Sequence, residues 1–154
     1  MPAAPGSEAE LVGRLQKWAD GKATLKDVRG YTDEELYSIA RTAYFFFYQG
    51  RIGEARTLFQ GLYAVNPLDA YFAKALGVVE MAAGNAVGAL AAYDVALKIS
   101  PEDALAYVGR AEVKISMGHT AQAVDDLRRS AQFCRDDQAL KLKVSAMLGN
   151  LSKK

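Results

Sequence analysis

The sequence predicts an all-α fold built from helix pairs repeated every 34 residues. Three observations carry this expectation. Gly50, Gly84 and Gly118 are spaced by 34, as are Ala55, Ala89 and Ala123, and the bulkier set Phe59, Tyr93 and Leu127 keeps the same step. Asn66-Pro67 and Ser100-Pro101 recur at that step, each followed one residue on by Asp-Ala. Of the 154 residues 51% are apolar and only 4 are proline, a composition for packed helices rather than for a disordered chain.

A period of this length, with small, aromatic and proline positions at these offsets, resembles the tetratricopeptide repeat, in which each unit is a helix–turn–helix. The resemblance implies a helical solenoid of three repeats with flanking N- and C-terminal helices. In chain order, residues 1–7 read as a disordered start. Residues 8–33 hold an N-terminal helix near 8–20 and a lead-in. Its Leu11, Leu15 and Trp18 form an apolar stripe that suits a homodimer contact and equally a cover for the first repeat.

The repeats occupy 34–136, in units of about 36–69, 70–103 and 104–136. Gly50, Gly84 and Gly118 fall where each first helix would stop, because glycine accepts the left-handed conformation that ends a helix. Ala43, Gly77 and Ala111 face Ala55, Ala89 and Ala123, so small side chains set the distance between paired helices. Phe59, Tyr93 and Leu127 fill the space between units. Pro67 and Pro101 end the second helices, since proline disfavours helical geometry at the residue before it. The third unit has Arg135 at the proline position, and its second helix is expected to run directly towards the C-terminal segment. The final helix, near 137–152, places Leu140, Val144, Met147, Leu148 and Leu151 on one face, as a capping helix requires. Lys141, Lys143, Lys153 and Lys154 read as its solvated side.

Composition excludes several functions. The 19 basic and 18 acidic residues leave a net charge of +1, too little for the electropositive face that nucleic acid or an anionic membrane requires. One cysteine and one histidine rule out a disulfide framework, a cysteine zinc cluster and the familiar triads. His119 reads as a turn residue, Cys134 as packing, and Asp125-Asp126 with Arg128-Arg129 as ordinary surface pairs. No catalytic residue, metal ligand or cofactor is assigned. The opening Met1–Gly6 lacks the basic flank and apolar run of a secretory signal, and no window approaches the roughly 18 apolar residues of a membrane span. The expectation is a cytoplasmic chain without stable membrane insertion.

In this kind of repeat the first helix of each pair lines the concave face, through its positions 2, 5, 9 and 12. Those positions are Tyr37, Ala40, Tyr44 and Phe47 in unit one, and Tyr71, Lys74, Val78 and Met81 in unit two. Unit three supplies Leu105, Val108, Glu112 and Ile115. Such a groove is mainly apolar and aromatic, which suits an extended apolar peptide. Only Lys74 stands where a cation would bind a partner's terminal carboxylate, so a carboxylate clamp is not expected.

A more specific likeness lies upstream. Gly21-Lys-Ala-Thr-Leu-Lys-Asp-Val-Arg-Gly-Tyr-Thr-Asp-Glu-Glu-Leu36, continuing through Ala43-Tyr44, Gly50-Arg51 and Glu54-Ala55, resembles the start of the class II, or translocator, chaperones of bacterial type III secretion. Arg110-Ala111-Glu112 and Val144-Ser-Ala-Met-Leu148 extend the likeness over about residues 11–150. The chain departs from the family's pattern at Ala40, Phe47, Ile52 and Val113. The resemblance implies a non-catalytic chaperone that holds a hydrophobic translocator client before export. It implies a peptide-binding groove of Tyr37, Ala40, Tyr44, Phe47, Tyr71, Lys74, Val78, Met81, Glu112 and Ile115, with homodimers common in the family. The competing reading is a repeat adaptor or scaffold in a pilus, secretion or polarity complex, which would bind a folded partner through another surface.

Overall fold

A computed structural model describes residues 8–153, apart from the side chains of Glu8, Leu11, Leu15, Trp18 and Val28. The expected disordered start at 1–7 lies outside the described residues, as do the side chains of the Leu11, Leu15 and Trp18 stripe. The described chain contains nine helices and no strand. It divides into two compact units, up to Phe72 and from Ala73 onwards.

The first unit begins with α1 (Glu8–Ala19) and the short α2 (Leu25–Arg29), followed by the antiparallel pair α3 (Asp33–Tyr48) and α4 (Ile52–Val65). Two threonines eight residues apart explain the lead-in. The Thr24 backbone N–H donates to Asp27 Oδ2 at 2.8 Å and caps α2, and Gly30 closes it at φ 75°. At α3, Thr32 Oγ1 accepts from the Glu35 N–H at 3.1 Å while Glu35 Oε2 accepts from the Thr32 N–H at 2.8 Å. This reciprocal capping box fixes where α3 starts. Ala43 and Ala55 are fully buried where α3 meets α4, and Leu36, Ala40, Phe59, Leu62 and Phe72 are buried in the same unit.

In chain order come α5 (Ala70–Ala82), within which the two units divide, then α6 (Ala86–Ile99), α7 (Ala104–Ser116), α8 (Thr120–Phe133) and α9 (Gln138–Ser152). Gly50, Gly84 and Gly118 have φ of 79°, 80° and 79°. Each donates to the carbonyl three residues back at 3.0 Å, and the next residue donates five back, at 2.9, 2.8 and 2.8 Å. The same left-handed turn is therefore built three times, satisfying helix-end carbonyls that would otherwise lack partners.

Tyr93 is 4% exposed and lies against Gly77 and Gly109; a methyl added to either would come within 2.8 Å or 2.3 Å of its ring. Only glycine allows that approach. Leu127 is fully buried, and Leu140 and Val144 of α9 join it with Ala104, Val108, Ala111 and Ala123 in one cluster. Met147, Leu148 and Leu151 pack against that cluster, so α9 covers the apolar side of the third pair.

One sequence expectation is corrected. The second helix of the third pair does not run on without its proline. Arg135 turns to φ 51°, and Asp137 starts a new helix by accepting the Leu140 N–H at 2.9 Å. A residue with a side chain in the left-handed region and an aspartate cap together make the break that proline makes elsewhere.

Candidate functional site

The candidate site is the outward side of the first helices, with one face in each unit. In the first unit Tyr37, Tyr44 and Phe47 follow one another along α3 at helical spacing, and Tyr71 joins them from the start of α5. The rings form a chain of contacts. Tyr37 meets Tyr71 edge-on at 5.4 Å between centroids, Tyr71 meets Tyr44 at 6.3 Å, and Tyr44 stacks on Tyr48 at 6.2 Å. Phe47 closes on Tyr48 edge-on at 5.5 Å, while Tyr44 is seated on the buried Phe59 at 4.9 Å. Edge-on and offset contacts at these distances are the favourable aromatic geometries.

One carboxylate organises the end of this strip. Asp69 Oδ2 accepts the Tyr37 hydroxyl at 2.6 Å and its Oδ1 accepts the Tyr71 N–H at 2.9 Å. The hydrogen bond to Asp69, with burial and the carboxylate's charge adding to it, pushes the Tyr37 phenol up to about 12. Tyr37 therefore stays a neutral donor. Tyr48, 81% exposed, was not among the sequence-predicted groove residues, although it ends the Phe45-Phe46-Phe47-Tyr48 run. Ala40 is a correction: it is 1% exposed and, like Ala43, buried in the unit's core, so its methyl is closed to a ligand.

In the second unit Lys74, Val78 and Met81 lie along α5 and are half-buried, while Glu112 and Ile115 are exposed on α7. Val108, on the same stripe of α7, is 3% exposed and belongs to the core. Both charges of this face have partners. Lys74 Nζ lies 2.7 Å from Asp103 Oδ2, and Glu112 Oε1 lies 2.8 Å from Lys143 Nζ. Lys143 is exposed, as expected for the solvated side of α9, and from there pairs across to α7.

A denser ionic cluster lies deeper in this unit. Arg110 binds Asp126 bidentately, at 2.9 and 2.7 Å, and reaches Asp94 at 3.0 Å; Lys114 reaches Asp126 at 2.7 Å. Asp126 is 2% exposed, so the expectation of ordinary surface pairs is corrected for it. Burial pushes its carboxyl up, but the hydrogen bonds from Arg110 and Lys114 outweigh that and hold it below the usual carboxylate range.

His119 is exposed at the N-cap of α8, and Cys134 is buried, its thiol donating to the Ser130 carbonyl at 3.2 Å. An open cavity of about 670 Å³ in the second unit is lined by Pro101, Leu105, Phe133, Arg135 and Leu140 among others; of the first-helix positions expected to line the groove, it includes Leu105 but not Lys74, Val78, Met81, Glu112 or Ile115. Among the described residues no group of three or more His, Cys, Asp or Glu is placed to hold a metal ion, and no helix is long and apolar enough to cross a membrane.

Repeated left-handed turns, paired helices and an aromatic first-helix face define the tetratricopeptide-repeat fold. The sequence profile of the tetratricopeptide repeat matches residues 40–104. No curated protein is significantly similar in sequence. Among solved structures, the type III secretion translocator chaperone SycD of Yersinia enterocolitica superposes with a TM-score of 0.79 at 21% identity, over 83% of this chain and 98% of that one. A type III secretion complex from Aeromonas hydrophila gives 0.83 at 18% identity, over 90% and 95%. PcrH, known from Pseudomonas aeruginosa, gives 0.76 at 19% identity, over 82% and 97%, in its complex with the chaperone-binding region of PopD. These likenesses establish the fold.

Proposed function

We propose that the chain is a non-catalytic, cytoplasmic chaperone whose first-helix face holds an extended apolar segment of a hydrophobic translocator-type protein before export. The observation that carries this reading is the contiguous strip Tyr37–Tyr71–Tyr44–Tyr48–Phe47, which keeps large rigid rings at the surface, tied at one end by Asp69. Such rings offer contact area at small conformational cost, and their hydroxyls satisfy the backbone of an extended peptide. Support comes from the solved relatives: SycD has been seen with a peptide of the translocator YopD and PcrH with a region of PopD. The function is stoichiometric binding, with the client kept unfolded.

The test is purification of the tagged protein from its native cells. An unfolded, hydrophobic protein should accompany it. Truncating a buried aromatic anchor at an interface costs about 2 to 4 kcal/mol, or roughly 30- to 1000-fold in affinity. The Tyr48→Ala/Tyr71→Ala variant should therefore lose the client while keeping its helical spectrum, and Lys141→Ala should retain it. A folded partner retained by the tyrosine variant would replace this reading with the adaptor or scaffold.

A further inference from the structure

We infer that Asp103 is a specificity-determining residue, which makes the second unit's face reject acidic segments by neutralising Lys74. The inference rests on the peptide-binding reading above. Lys74 occupies the same stripe of α5 as Val78 and Met81, and it is the cation of the α5 part of the candidate face. Its ammonium is held 2.7 Å from Asp103 Oδ2, with the two side chains 26% and 17% exposed. The other oxygen of Asp103 accepts the Ala106 N–H at 3.1 Å and caps α7. One carboxylate therefore does two jobs, capping the start of α7 and cancelling the charge that would attract an anionic ligand.

The arrangement is a repeated device. Asp69 stands 34 residues before Asp103 and likewise uses one oxygen on the backbone and the other on a groove side chain, Tyr37. In the first unit the partner is a neutral phenol, so Asp69 keeps its negative charge; in the second the partner is Lys74, and the pair is neutral. Neither arrangement offers an acidic segment a free cation. Glu112, ion-paired with Lys143, adds none. An apolar segment meets no such obstacle.

Asparagine is as good an N-cap as aspartate, so Asp103→Asn removes the charge and keeps the oxygen that caps α7. Lys74 is then a partly buried cation without a counter-charge, suited to donate a charge-assisted hydrogen bond to a carboxylate. The probes are two acetylated, amidated nonapeptides, three Leu-Ser-Pro units and three Leu-Asp-Pro units, titrated calorimetrically at low salt. The native protein should prefer the serine peptide. Asp103→Asn should shift the ratio of the two affinities towards the aspartate peptide by about tenfold or more, and Asp103→Asn/Lys74→Gln should return it.

A general loosening of structure would weaken both peptides together and leave the ratio unmoved. An unmoved ratio with the serine peptide still bound overturns the inference alone. A shift that survives Lys74→Gln also overturns it, because the new anion site would not be Lys74. Failure of both peptides to bind any of the three proteins counts against the peptide-binding reading, and the inference falls with it.

Discussion

Replacing Gly109 by alanine puts the close approach of Tyr93 to direct test. The added methyl would lie 2.3 Å from Cζ and 2.5 Å from the hydroxyl oxygen of Tyr93. Carbon atoms at rest stand about 3.5 to 4.0 Å apart, so the ring would have to withdraw by more than about 1 Å. It has little room to do so, being 4% exposed and in contact with Gly77 on another helix. Overpacking of this kind costs typically 1 to 3 kcal/mol, and the contact here belongs at the upper end. Alanine returns about 1 kcal/mol through its helix propensity. The net effect is a loss of about 2 kcal/mol, or roughly 6 °C in Tm for a chain of this size. Urea denaturation followed by circular dichroism measures it. Gly61→Ala, in the interior of α4 with nothing within 4 Å of the new methyl, is the control and should be neutral or stabilising. Tyr93→Leu should lower the cost of Gly109→Ala in a double-mutant cycle. If Gly109→Ala stabilises the protein as Gly61→Ala does, the reasoning fails.

Asp126→Asn should be among the most damaging single changes, costing about 3 kcal/mol or more, because it strips a buried carboxylate from Arg110 and Lys114. Since the Asp126 pKa is depressed in the folded state, its contribution is present above the ordinary aspartate value of about 4 and is lost as pH falls through the lower folded value. The urea midpoint of the native protein should thus drop on acidification below about pH 4 more steeply than that of Asp126→Asn. Deleting residues 137–154 should uncover Leu127, Val108 and Ala104, lower the Tm and promote association on size exclusion; a monodisperse truncation of unchanged Tm would contradict the role given to α9.

The fold was legible because its punctuation is chemical. A glycine in a left-handed turn and a proline beyond a helix end are constraints of single residues, so their recurrence at 34 residues survives without reference to any partner. Arg135 shows the limit: its left-handed turn uses a residue with no special tendency to make one, and only Asp137 hinted at the new helix. The short α2 offers too few turns for a periodic signal, although Thr24 with Asp27 and Thr32 with Glu35 were readable caps. Asp126 was also within reach, since it shares a helical stripe with Ala123, Leu127 and Ser130, all buried. Tyr48 lay one residue beyond the counted groove positions and Ala40 on their buried side, because the real face is set by how α3 meets α4. Lys74 and Asp103 are separated by 29 residues, and nothing local in the sequence announces their pairing.

The central claim, that the aromatic face holds an unfolded client, is tested most directly by a photo-crosslinking side chain placed in native cells. It would stand in turn at Phe47 and Tyr71 on that face, and at Val87 and Leu142, which are 71% and 72% exposed elsewhere. Irradiation should give adducts from positions 47 and 71 that map to an apolar stretch of one hydrophobic protein, with little or none from 87 and 142. Adducts from Val87 or Leu142 alone, or adducts that map to the surface of a folded partner, would contradict the account.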